Sequence, residues 1–132
     1  MHPLDRVPAI RRIETDRSDV FAIEVIGEVT SADVENLFGL LEGAYAISPR
    51  LDLLVRATEF SEIVWDGVSG ETAGAVRDHA SEHVGRFAEI GETDALREFE
   101  RILKPGGPVE RRRFDPAEEA EAWAWIGARP VA

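Results

Sequence analysis

The apolar residues along the chain alternate between two periods, one of about 2 and one of about 3.6 residues. Val20–Ile26 (VFAIEVI) is rich in β-formers and follows a weaker strand candidate, Ile10–Thr15. Thr30, Ser31 and Asp33 then open a helix, with Thr30 and Asp33 spaced as in a capping box. Val34, Leu37, Phe38, Leu41, Ala44 and Tyr45 put one apolar stripe on that helix, and Pro49 stops it. Leu51–Ala57 (LDLLVRA) suits a buried strand. The next stretch, Thr58–Gly70, reads as a loop crowded with Phe60, Ile63, Val64 and Trp65. A helix over Gly70–His83 and a strand over Arg86–Ile90 come next. A helix capped by Thr93 carries Leu96, Phe99, Ile102 and Leu103 and ends at Lys104-Pro105-Gly106-Gly107. Val109–Phe114 is a last strand. Asp115, Pro116 and Glu118 then supply an N-cap acid, an N1 proline and an N3 acid for a helix reaching about Ala128. The order β-β-α-β-α-β-α-β-α predicts an α/β fold: a mixed, largely parallel sheet with helices packed against it.

Length and charge narrow the picture. A chain of 132 residues fits one domain, with residues 1–9 expected to form a flexible lead. Cysteine is absent, which excludes disulfides, thiolate nucleophiles and Cys-ligated zinc, and fits a reducing, cytoplasmic setting. No secretory h-region is visible at the N-terminus and no apolar run is long enough to span a bilayer, so membrane association is at most peripheral. The formal charge of −11 repels phosphate backbones, so no nucleic-acid partner is expected. No motif requires a cofactor.

Chemistry-bearing patterns are sparse, and each has a structural reading beside the functional one. His79-Ala80-Ser81-Glu82-His83 spells the H-x-x-E-H zinc string, but nothing in the sequence fixes a third ligand, so no metal site is assigned. Phe60, Ile63, Val64 and Trp65 are four large apolar residues within six positions. They are the candidate ligand-binding or interface residues, as a lid, pocket wall or subunit contact; otherwise they fold inward and complete the core. Arg111, Arg112 and Arg113 form the densest basic run. In a strand, Arg111 and Arg113 share one face, either protecting an exposed sheet edge or offering a small anion site. The numerous acids read as solvated faces.

Three stretches together resemble the SpoIIAA-like family, a bacterial group related to STAS and Sec14-type domains. They are LDLLVRATEF (Leu51–Phe60), HVGRFAEIGE (His83–Glu92) and VERRRFDPAEEAEAWAWI (Val109–Ile126), the last closing on Glu121, Ala122, Trp125 and Ile126. The chain departs from the family at Arg56, where an acid is usual, and at Ala95 and Leu96, near which a Trp is frequent. The resemblance implies a single STAS-like domain, frequent homo-oligomers and no catalysis. It implies Trp125 in the core and Trp123 at a rim or an oligomer contact. The expected function is a non-catalytic module holding an apolar small molecule or lipid, or associating at a membrane surface. The alternative is a signalling partner of the anti-sigma factor antagonist type. In those proteins a partner kinase phosphorylates a serine after the third strand, a position Ser69 resembles; the structural reading of Ser69 is a plain helix N-cap.

Overall fold

The computed structural model describes residues 8–103 and 106–131. Five strands and four α-helices are ordered β1 (Ile10–Ile13), β2 (Val20–Val29), α1 (Ser31–Ile47), β3 (Leu51–Ile63), α2 (Gly70–His83), β4 (Val84–Ile90), α3 (Thr93–Phe99), β5 (Glu110–Phe114) and α4 (Glu119–Ile126). The strands lie in one sheet in chain order, β1-β2-β3-β4-β5. β1 is antiparallel to β2 and every other pair is parallel.

This order decides where the helices go. Crossovers between parallel strands are right-handed, and here every crossover steps the same way across the sheet. α1, α2 and α3 must therefore cover one face. Phe21, Ile23 and Val25 of β2, Leu53 and Val55 of β3 and Phe87 of β4 meet Val34, Leu37, Leu41, Val76, Leu96 and Phe99 on it. α4 leads to no further strand and closes the opposite face, where Val20, Ala22, Leu54, Ala88, Ile90 and Phe114 meet Ala122, Trp123 and Ile126.

Local signals set the ends. The Asp33 carboxylate accepts from the Thr30 N–H at 2.9 Å, from the Thr30 hydroxyl at 3.0 Å and from the Ala9 N–H at 3.2 Å. One acid thus starts α1 and fixes the chain entering β1. Of the expected lead, Ala9 is buried, and residues 1–7 lie outside the described residues. The Glu118 carboxylate accepts from the Asp115 N–H at 2.9 Å in a 3-10 turn, Pro116–Glu118, that feeds α4. Gly127, at φ +79°, ends α4 in the left-handed conformation that glycine adopts without strain.

Three expectations need correction. Thr58–Ile63 is not a loop but a continuation of β3. Two extra residues are inserted in β3 relative to β2: Glu24 faces Arg56 but Ile26 faces Glu59, and Gly27 faces Phe60 but Glu28 faces Glu62. Each bulge shifts the side-chain phase, so Ala57, Phe60 and Ile63 all turn to the helix-covered face although they are three residues apart. A search for period 2 misses such a strand. Next, Glu92 rather than Thr93 caps α3, which stops at Phe99; Ile102 and Leu103 are buried in the turns beyond, and Lys104 and Pro105 lie outside the described residues.

The third correction reverses the tryptophans. Trp123 is buried, while Trp125 is half-buried on the β4–β5 flank, beside Phe114 and under the Arg86 guanidinium at 5.3 Å. The inward stripe of α4 runs through Glu119, Ala122, Trp123 and Ile126, and Glu119 gives the Trp123 indole N–H its acceptor at 3.1 Å. Trp123→Ala should cost about 3–5 kcal/mol in urea unfolding and Trp125→Ala less than half of that. Equal losses would contradict this placement.

Candidate functional site

Phe60 and Ile63 are covered by the protein's own core, with the Phe60 ring edge-on to Phe99 at 5.9 Å. Val64 donates its N–H to Val29 O at 2.8 Å and is half-buried. Trp65 is half-buried too, with its indole N–H donating to Glu98 at 3.4 Å and the Arg101 guanidinium 4.5 Å above its ring. The four candidates therefore do not act as one unit: Phe60 and Ile63 complete the core, Val64 pairs with Val29 of β2, and Trp65 is held by Glu98 and Arg101 at the end of α3. Ligands collect at strand ends in open sheets where the strand order reverses, and this order never reverses.

An apolar groove lies elsewhere, where α1 overhangs β1 and β2. It measures about 420 Å³ and is lined by Arg12, Phe21, Gly39, Leu40, Gly43 and Ile47, among others. Ile47 is 83% exposed, a large apolar residue left in water at its end. A Cβ built on Gly39 or Gly43 would meet nothing within 4 Å. Glycine inside a helix costs roughly 0.5–1 kcal/mol relative to alanine, and no packing among the described residues requires either one. Arg12 stands over the Phe21 ring at 5.1 Å, a cation at the groove's rim.

The other sequence candidates sit apart from this groove. Ser69 is exposed and caps α2, its Oγ accepting from the Thr72 N–H at 3.3 Å. The His79 Nδ1 meets the Glu42 carboxylate at 2.9 Å; the His83 Nδ1–H donates to Pro49 O at 2.7 Å, and its ring stacks on Tyr45.

One cluster escaped the sequence reading. Glu89 is fully buried in β4, and neither of its oxygens accepts a hydrogen bond from the described residues. Beside it lie Glu100, just past α3, and Arg111 and Arg113 of β5. Burial first, and then the neighbouring Glu100, push the Glu89 carboxyl up to about 8. Burial also pushes Glu100 up, but hydrogen bonds from Arg113, the neighbouring Glu89 carboxyl and the charges of Arg111 and Arg113 outweigh it and hold that carboxyl below its ordinary range. The signal was an acid among Phe87, Ala88 and Ile90, opposite a strand with two arginines on one face.

The comparisons with known proteins bear on this frame. The SpoIIAA-like family model matches residues 20–127, well over half of the chain. The chain belongs to the SpoIIAA-like family. A solved structure of an uncharacterized protein with a SpoIIAA-like fold from Shewanella loihica PV-4 is 21% identical, with a TM-score of 0.64 over 92% of this chain and 97% of that one. At that identity it speaks for the fold alone. No curated protein matches. Within the SpoIIAA-like fold, Arg56 bridges Glu24 of β2 and Glu119 of α4, the latter at 2.8 Å. An acid in its place would face two other acids. Among the described residues no helix is long and apolar enough to cross a membrane.

The split of the aromatic segment is open to measurement. Phe60→Ala should destabilise by about 3–5 kcal/mol as a core truncation, and Trp65→Ala by clearly less, because its ring is partly in water. A Trp65 cost matching that of Phe60 would put both in the core.

Proposed function

We propose that this protein is a non-catalytic binding module that holds an amphipathic, acyl-chain-like molecule against the outer flank of α1. The observation carrying this reading is the groove between α1 and the β1–β2 edge, where Gly39 and Gly43 leave room that none of the described residues fills. Its volume falls within the roughly 300–1,000 Å³ of small-molecule sites. Phe21, Leu40 and Ile47 suit a hydrocarbon chain, and Arg12 suits an anionic head. This moves the ligand away from the Phe60–Trp65 segment, because Phe60 and Ile63 are already covered. An acid–base role is poorly served by the carboxyl with the displaced pKa, since Glu89 is buried where no substrate can touch it.

Native mass spectrometry, which reads retained ligand and subunit number together, and titration with dansyl-labelled undecanoic acid test the reading. Gly39→Ala and Gly43→Ala should each raise stability by about 0.5–1 kcal/mol. Gly43→Leu, which fills the groove, should weaken probe binding by about tenfold or more, a loss near 1.4 kcal/mol. Arg12→Glu should weaken it as well. Equal probe binding by wild type and Gly43→Leu would sink the proposal.

A second reading, that of a signalling partner addressed at Ser69, is favoured by one observation: its hydroxyl is exposed at the N-terminus of α2. Phosphate there adds roughly 1.5–2 negative charges where a helix dipole favours them. Ser69→Asp should keep stability within about 1 kcal/mol, both residues being good N-caps. Selective loss of a co-purifying host protein in that variant would support this reading over the first; unchanged association would count against it.

A further inference from the structure

We propose that the buried carboxyl pair Glu89–Glu100 shares one proton that latches edge strand β5 to the end of α3, and that removing this proton loosens the seam. The geometry begins with how the two arginines are engaged. Arg113 reaches Glu100 with Nη2 at 2.7 Å from each carboxylate oxygen and with Nε at 3.2 Å, while Arg111 adds Nη2 at 3.2 Å. Glu89 receives only the approach of the two Nε atoms to Oε1, at 3.4 Å from Arg111 and 4.0 Å from Arg113. Neither is a hydrogen bond. Both guanidinium groups thus serve Glu100, and Glu89 is left buried without a donor.

The charged groups facing Glu89 among the described residues are therefore Glu100 from the end of α3, and Arg111 and Arg113 from β5. β3 presents an apolar neighbour, Val55, in register. Two adjacent carboxyls in such a setting do not both ionise readily. The proton rests on Glu89, which can donate it toward Glu100, the carboxylate that the arginines keep charged. Glu89 is completely buried, so it is a structural proton holder and not a group that touches a substrate.

The elements joined here are short, and one of them is an edge strand. β5 has five residues and a single neighbouring strand, and α3 has seven residues. When Glu89 loses its proton, a charge appears in a buried site where none of the described donors makes a hydrogen bond to it, next to another carboxylate. Separation of β5 from the α3 end admits water and relieves that charge at less cost than opening the central strands.

The pH dependence has a definite sign. Below the ordinary carboxyl range, folded and unfolded chains both hold the Glu89 proton, and its stabilising contribution is complete. Between that range and about 8, the folded chain keeps a proton that the unfolded chain has released, so stability falls as pH rises and levels off above about 8. Glu100 works oppositely: its lowered pKa gives stability that is lost only as pH drops through the acid range.

Hydrogen exchange at the β5 amides, corrected for intrinsic rates, tests the latch between pH 6 and 9.5. Wild-type protection of Arg111–Phe114 should fall by up to about tenfold per pH unit up to pH 8, while β2 and β3 stay protected. Glu89→Gln, which imitates the protonated carboxyl, should flatten that dependence and leave protection at pH 6 nearly unchanged. The same slope in Glu89→Gln, or a flat wild-type profile, overturns the proposal. If the variant fails to fold, carboxyl-carbon NMR of the wild type decides: a Glu89 midpoint in the ordinary carboxylate range overturns the latch, and one near 8 supports it.

Discussion

The handedness of the crossover connection is the constraint on which the rest of this structure depends. With strands laid down in chain order, right-handed connections commit α1, α2 and α3 to one face of the sheet and leave the other to α4. A doubly wound sheet, whose order reverses in the middle, opens a crevice at the reversal. This sheet has none, so its strand ends are closed by core residues such as Phe60 and Ile63. One apolar groove runs along the flank of α1, beyond which no further helix of the described residues follows on that face.

A single eight-residue helix covers little of a five-stranded sheet, and the chain answers with charge. Across the α4 face runs a row in register: Arg11 opposite Glu24, and Glu24 opposite Arg56, with Glu119 reaching down from α4. Ion pairs exposed to this degree contribute little net stability. Their effect is on orientation. Arg56 holds Glu119, and Glu119 accepts from the Trp123 indole, so the buried tryptophan of α4 has no orphaned N–H. Arg56 thus has a local physical role in this fold.

The opposite arrangement holds at the far edge. There a short edge strand and a short helix enclose two acids and two arginines, and the arginines favour one acid over the other. Burial raises the proton affinity of the disfavoured one. The arginines on β5 also put a positive face on an exposed strand edge, which opposes edge-to-edge pairing.

Local order was legible in the sequence. The Thr30–Asp33 and Asp115–Glu118 start signals, the α1 stripe and the bounds of α2 are matters of neighbouring residues, whose effects act within one or two turns. So was the largely parallel sheet, because strands alternating with helices admit few other arrangements. The extension of β3 was not legible, since two bulges break the alternation that marks a strand and only pairing with β2 restores it. The choice of Trp123 over Trp125 depended on which α4 residue met Ala88 and Leu54 from distant strands. The Glu89 cluster joins three segments, and the α1 groove joins a helix to a sheet edge. Residue type and spacing determine what a segment can form by itself. Burial, proton affinity and cavities arise only when separate segments exclude water together, and for this protein tertiary packing decided them.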